Sequence, residues 1–248
     1  MKRKNVPEPP FFEIGPKSYL YGDDVLELAL AAERASEKYD VDIIFTTPYT
    51  DIRRVAEATE RLFVYAPHMD LLEPGRGLAD ILPEAVKAAG AVGVMLNHCE
   101  KPLALSILEK SIRRAHGIGL AAIVCADTIA EAHAIACLNP NIIVAEPSEL
   151  IGTGQTKDME AKRSMEAKHS MDYVKASIEA VHSINPEILV LQGAGISSGE
   201  DVYQLIYHGA QATGASSSIA KAKDKEGIVD EMIGAVQRAA HDRKRKAL

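Results

Sequence analysis

Short apolar runs alternate with longer helical patterns along most of the chain, and this alternation limits the possible folds more than any other feature. Most of the short runs are apolar throughout, which is typical of parallel strands buried on both faces. Between them, apolar residues recur every three or four positions, as they do along helices that pack on a sheet. About eight such units follow one another, so the sequence predicts an α/β protein built from β/α repeats.

The predicted strands are Phe11 to Gly15, Asp42 to Thr46, Phe63 to Ala66, Val92 to Leu96, Leu120 to Cys125, Ile142 to Ala145, Ile188 to Leu191 and Gln211 to Ala215. The predicted helices include Val25 to Lys38, Glu84 to Ala89, Ile107 to His116, Ala130 to Cys137, Tyr173 to His182 and Ile228 to Ala240. No linker rich in Pro, Gly or Ser divides the chain, which favours one domain over residues 1–248. A closed (β/α)8 barrel is the favoured architecture, and a doubly wound open sheet is the alternative.

Both termini are predicted to lie outside the repeats. Residues 1–10 are interpreted as an N-terminal extension. They contain charged residues and prolines, and they lack the apolar run of a signal peptide. Residues 241–248 are interpreted as a basic, solvated tail that follows the last helix.

Composition excludes several classes of protein. Apolar residues make up 47% of the chain and charged residues 25%, values that are typical of globular proteins. The net charge of −7 argues against a nucleic-acid partner, and no run is long enough to span a membrane. Cys99, Cys125 and Cys137 lie far apart without metal-ligand spacing, so we expect reduced thiols, no metal and a cytoplasmic location.

Three ionisable residues follow predicted strands. Lys17 comes after the first strand, His98 after the fourth and Glu146 after the sixth. Each of them alone is better explained as a solvated or hydrogen-bonded side chain. In a β/α barrel, however, the carboxyl ends of all strands meet at one face, where functional groups lie. The sequence therefore predicts a cation, an imidazole and a carboxylate around one pocket.

Loops rich in glycine and serine surround the same predicted face. The segment 147–154 after Glu146 contains Gly152 and has the proline and glycines of a lid that could close over a ligand. Gly193 and Gly195 follow the seventh strand, and Ser217 and Ser218 follow the eighth. Barrel phosphate sites are commonly built from these last two loops, and glycines let the backbone approach an anion closely. The residues predicted to bind substrate or phosphate are therefore Gly152, Gly193, Gly195, Ser217 and Ser218.

Several strings of residues resemble the triosephosphate isomerase family, particularly its shorter archaeal form. They are Leu96-Asn97-His98-Cys99-Glu100, Ala145-Glu146-Pro147, Ile151-Gly152-Thr153-Gly154 and Gly193-Ala194-Gly195-Ile196-Ser197. The similarity runs from about Phe11 to Asp224 in matching order. It implies the family's single (β/α)8 TIM barrel.

The resemblance also implies the chemistry, in which glyceraldehyde 3-phosphate and dihydroxyacetone phosphate interconvert through an enediolate without a cofactor. Glu146 would be the base at carbon, His98 would donate a hydrogen bond to the enediolate oxygen, and Lys17 would stabilise its charge. Glu100 would support the site by pairing with Lys17. The family is dimeric, or tetrameric in its archaeal form, so a homodimer or homotetramer is expected.

Two positions depart from the family pattern. The usual Asn two residues before the lysine is Gly15, and the usual Thr of the loop after the third strand, which bonds across the dimer, is Leu78. These changes predict a rebuilt subunit contact and space beside Lys17. They leave open an isomerase for a longer sugar phosphate such as a tetrulose phosphate. A phosphate-ligand sensor without turnover is a second alternative, because a fold does not determine a function. Residues 155–171 carry no predicted role.

Overall fold

The computed structural model describes residues 5–146, 171–193 and 195–246. Eight parallel strands in these ranges pair in chain order, and the last strand pairs with the first, so the sheet is a closed barrel. They are β1 Phe11–Ile14, β2 Ile43–Thr46, β3 Phe63–Ala66, β4 Gly93–Leu96, β5 Ala121–Ala126, β6 Ile142–Ala145, β7 Leu189–Gln192 and β8 Ala212–Ala215. The predicted (β/α)8 barrel is therefore confirmed, and the open-sheet alternative is wrong.

Helices follow the strands and surround the barrel. Numbered through the described residues, they are α1 Asp23–Tyr39, α2 Ile52–Ala58, α3 Pro83–Ala88, α4 Leu105–Gly117, α5 Ile129–Ala136, α6 Met171–His182, α7 Gly199–Tyr207, α8 Ser217–Ala220 and α9 Lys225–Lys246. The helix α7 was not predicted, although Ser198 and Asp201 form a reciprocal hydrogen-bonded cap at its start. None of the helices in these ranges is long and apolar enough to cross a membrane.

The pleat of each strand divides the core into two layers. On β1, Phe11 belongs to the cluster inside the barrel, whereas Phe12 and Ile14 pack in the cluster between the sheet and the helices. Alternation along a strand then turns Glu13 towards the barrel interior, above Phe11. The carboxyl end of the barrel is therefore more polar inside than its amino end.

The N-terminal extension covers the opposite end of the barrel. The Asn5 side chain donates a hydrogen bond to the Gly119 carbonyl (2.8 Å), and the buried Tyr65 hydroxyl donates one to the Asn5 carbonyl (2.7 Å). The backbone N–H of Glu8 donates to Asp42 Oδ2 (2.9 Å), just before β2. Residues 5–10 therefore pack on the end away from the predicted site.

The interpretation of residues 241–248 as a tail after the last helix is wrong for residues 241–246. The helix α9 continues to Lys246, and Arg243 donates hydrogen bonds to the carbonyls of Ile206 (3.1 Å) and Ala210 (3.4 Å). Basic residues are favoured in the last turn of a helix because they complement its dipole. The basic cluster thus belongs to a helix end, where Arg243 contacts α7 and the loop that follows it.

Candidate active site

A cavity of about 830 Å³ opens at the carboxyl end of the barrel. Residues from the ends of both early and late strands line it, among them Lys17, His98, Glu100 and Glu146. These four residues are separated by up to 129 positions in sequence, and barrel closure brings them together. The structure thus collects the predicted cation, imidazole and carboxylate around one space.

Lys17 lies immediately beyond β1 in a constrained conformation. Its backbone φ is +48°, in the left-handed region that non-glycine residues seldom adopt. Its Nζ lies 3.5 Å from Glu100 Oε2. Strain of this kind commonly persists where the surroundings fix a functional residue. The pairing with Glu100 keeps the ammonium group at the cavity.

His98 is held as a neutral imidazole. The backbone N–H of Glu100 donates a hydrogen bond to His98 Nδ1 (3.1 Å), which leaves the ring proton on Nε2. Burial, and secondarily the Lys17 charge, lowers the pKa of His98. A neutral ring with a proton on Nε2 can donate a hydrogen bond to a ligand oxygen without carrying a positive charge.

Asn97 fixes the turn that carries His98. Its backbone φ is +58°, and its side-chain amide donates to the Cys125 carbonyl (3.0 Å) on the neighbouring strand. The amide oxygen accepts a hydrogen bond from the N–H of Leu103 (2.9 Å) and so closes the loop. An asparagine suits this position because it tolerates the left-handed region better than most residues.

Gly193 makes room for Glu146. A methyl group on Gly193 would lie 3.0 Å from both Cβ and Cδ of Glu146. Contacts this short are tighter than most in proteins, so with a larger residue the Glu146 side chain would have to move by a few tenths of an ångström. Gly193 was predicted to contact phosphate. Its position gives it a different requirement, which is the close approach of its backbone to the Glu146 side chain.

Three of the other residues predicted to bind an anion lie at the cavity, and one lies outside the part of the chain that the structure describes. Gly195 (φ +75°), Ser217 and Ser218 line the cavity. The Ser218 hydroxyl donates to the Ile196 carbonyl (2.8 Å) and so joins the loops after β7 and β8. Gly152, the predicted lid 147–154 and residues 155–170 lie outside the described residues, whereas Met171 begins α6.

Glu13 was not predicted from the sequence. Its side chain lines the cavity, and Oε1 accepts a hydrogen bond from the Thr46 hydroxyl (2.6 Å). Burial raises the pKa of Glu13 to about 7, and the nearby Glu146 adds to the rise. A charged residue inside an otherwise apolar strand could have identified Glu13 from the sequence. Carboxylates are seldom buried in proteins unless they have a partner or a function.

The two departures from the family pattern have different surroundings. A methyl group on Gly15 would lie 3.0 Å from Glu13 Oε1, so the Glu13 carboxyl group occupies the space beside this glycine. Leu78, on the loop between β3 and α3, is 95% exposed. The space predicted beside Lys17 is therefore partly filled by Glu13.

Comparison with known proteins agrees with the fold. The family model described as triosephosphate isomerase matches residues 17–232. The triosephosphate isomerase of Methanobacterium bryantii is 36% identical over 228 residues, covering 91% of this chain and 96% of the relative. That of Methanocaldococcus jannaschii is 37% identical over 212 residues, covering 86% and 92%.

A solved structure has the same fold. The triosephosphate isomerase of Bartonella henselae superposes with a TM-score of 0.68 at 16% identity, covering 93% of this chain and 99% of that one. At this identity the likeness concerns the fold alone. The family model and the archaeal relatives carry the assignment further: the chain belongs to the triosephosphate isomerase family.

Proposed function

We propose that the protein interconverts glyceraldehyde 3-phosphate and dihydroxyacetone phosphate. The observation that carries the proposal is the convergence of Lys17, neutral His98 and Glu146 on one cavity, in a chain of this family. The curated relatives bear the name of this reaction. The longer sugar phosphate and the non-catalytic sensor find no support in these comparisons.

In the proposed mechanism, Glu146 moves the proton between two adjacent carbons. Its carboxylate removes a proton from the carbon next to the carbonyl, and the electron pair of that C–H bond forms the enediolate double bond. The protonated Glu146 then returns the proton to the neighbouring carbon. The hydroxyl proton must also pass from one substrate oxygen to the other, and His98 would carry it by donating its Nε2 proton to one oxygen and taking a proton back from the other. With both transfers, atoms and electrons balance without a cofactor.

His98 and Lys17 would stabilise the charge that develops on oxygen. The neutral His98 Nε2–H donates to the enediolate oxygen, which is this family's well-known use of a neutral histidine beside a glutamate base. The Lys17 ammonium group lies close enough to lower the pKa of His98, so its field acts on the same region. Glu100 holds Lys17 in position through their ion pair.

The phosphate group would bind at the loops after β7 and β8. Gly195 allows the backbone to approach an anion, and Ser217 begins a short helix beside the same cavity. Ser218 would act mainly by holding the two loops together, because its hydroxyl is already donated to Ile196. Gly193 would act through Glu146, and Gly152 would contribute from the lid.

We also propose a homo-oligomer, either a homodimer or a homotetramer, in the cytoplasm. Large apolar or aromatic side chains are exposed on loops at the carboxyl end of the barrel, including Tyr21, Leu71 and Leu78. Contact with a second copy would remove this apolar surface from water. The three free cysteines suit a reducing compartment.

The test is a coupled assay with glyceraldehyde 3-phosphate on the protein and on Glu146→Gln. The substitution keeps the size of the side chain but removes the base, so kcat should fall by at least about a thousandfold. Glu57→Gln, on the exposed surface of α2, is the matched control and should keep full activity. Equal activity in Glu146→Gln and the wild-type protein would refute the proposed role of Glu146, and absence of turnover in both would refute the function.

A further inference from the structure

The floor of the cavity contains a carboxyl group that the proposed mechanism does not use. Glu13 lies on β1, between β2 and β8, and its side chain reaches the cavity from inside the barrel. Methyl groups on Gly15 and Gly214 would lie 3.0 Å from its Oε1 and Oε2, respectively. Both flanking positions are therefore small enough to accommodate the carboxyl group.

One oxygen of this carboxyl group remains available to a ligand. Thr46 fixes Oε1 through the 2.6 Å hydrogen bond from its hydroxyl. Within the described ranges, no donor is within hydrogen-bond distance of Oε2. A carboxyl oxygen beside a cavity normally bonds to water or ligand when the protein supplies no partner.

The charges around Glu13 favour a neutral, hydroxyl-binding group. Glu146 and the Cys125 thiol approach from β6 and β5, and Lys17 approaches from the end of β1. With its pKa raised to about 7, the carboxyl group is protonated for much of the time near neutral pH. A carboxylic acid can both donate to and accept from a sugar hydroxyl. A phosphate dianion, by contrast, would be repelled by two neighbouring carboxyl groups.

We propose that Glu13 is a specificity-determining residue that binds a hydroxyl group of the phosphorylated sugar, at the end away from its phosphate. This proposal takes the class of ligand from the proposed function. The phosphate lies against the glycine and serine loops after β7 and β8, and the hydroxyl-bearing end reaches the floor near Thr46. Glu13 thereby occupies the space beside Gly15 and supplies a polar contact there.

Two phosphate esters of equal carbon number test this binding without requiring turnover. Glycerol 3-phosphate has two hydroxyl groups, and propyl phosphate has none. Calorimetric titration of the wild-type protein should give a dissociation constant at least about fivefold lower for glycerol 3-phosphate. In Glu13→Met, which removes both oxygens at similar length, the preference should fall below about twofold. Glu13→Gln should keep most of it.

The control for general damage is propyl phosphate, whose affinity should change by less than about threefold in either variant. If Glu13→Met does not fold, Thr46→Val provides a second variant: it removes the hydrogen bond that orients Glu13 and should reduce the preference at least about twofold. The proposal is overturned if Glu13→Met keeps the full preference for glycerol 3-phosphate, or if Thr46→Val does so where that variant is used. It is also overturned if the wild-type protein binds the two esters equally. Failure of the isomerase assay alone would contradict the function and leave this comparison intact.

Discussion

Glu13 makes the stability of the protein depend on pH in an unusual direction. Its pKa is about 7 in the folded state and near 4.5 when unfolded, so between these values the folded protein retains a proton that the unfolded chain releases. The free energy of unfolding therefore falls as the pH rises from about 4.5 to about 7, by up to roughly 3 kcal/mol, and this cost persists above pH 7. The buried carboxyl group is thus retained at an energetic cost, as is common at functional sites.

Glu13→Gln should remove this cost. We expect the variant to be more stable than the wild-type protein by up to about 3 kcal/mol at pH 8, and nearly equal to it at pH 4.5, because the wild-type side chain is then protonated in the folded state and about half protonated in the unfolded state. Urea unfolding at the two pH values measures the difference. A change of the same size at both pH values would show that the effect comes from packing and not from ionisation.

At the scale of single residues, cavity-lining groups after strands were easier to predict from the sequence than those within strands. Lys17, His98 and Glu146 were identified because each is an ionisable residue at a strand end, where a barrel places its functional groups. Glu13 was missed because it lies within a strand, and only the closed barrel determines which side chains of β1 point inwards. The role of Gly193 likewise depends on a distance between strands that no sequence pattern contains.

At the scale of elements, the last helix closes the outer layer of the barrel. It packs on α7 and α1, where Lys38 pairs with Asp230 (2.7 Å) and Tyr203 donates a hydrogen bond to Asp242 (3.0 Å). Arg243 adds hydrogen bonds to the carbonyl of Ile206 in α7 and to that of Ala210 in the loop that follows it. The sequence placed this helix correctly but ended it too early, because a dense basic run is equally typical of a tail and of a helix end.

Replacing Arg243 should therefore destabilise the fold although the residue lies close to the C-terminus. Arg243→Ala removes both hydrogen bonds and should lower the free energy of unfolding by about 1–2 kcal/mol. Arg245→Ala, two residues away on an exposed part of the same helix, is the matched control and should change it by less than about 0.5 kcal/mol. Thermal and urea unfolding measure both, and equal effects would rule out the contact with α7.

At the scale of the whole molecule, we expect Leu78 to lie in a subunit contact. A side chain that is 95% exposed at the carboxyl end of the barrel, among other exposed apolar residues, gains most by burial against a second copy. Leu78→Glu should weaken the oligomer at least about tenfold, because burial of an unpaired charge is costly. Light scattering over a concentration series would then detect a mass approaching that of one chain, 26.8 kDa.

Ile184→Glu is the matched control for that experiment. Ile184 is also exposed, at 41%, but it lies between α6 and β7 at the opposite end of the barrel. This variant should keep the wild-type mass. A wild-type protein that remains at the mass of one chain at all concentrations would contradict the proposed oligomer itself.

The pairing of β1 with β8 also determines how late in synthesis the cavity can form. During synthesis, β1, which carries Glu13, is made before the other seven strands. One of its two neighbours, β8, which contains Gly214, is made nearly two hundred residues later. Until then, one edge of β1 offers unsatisfied backbone groups that could pair with another nascent chain. The floor of the cavity therefore cannot form until β8 has been made, and until then the exposed edge of β1 is open to wrong pairing.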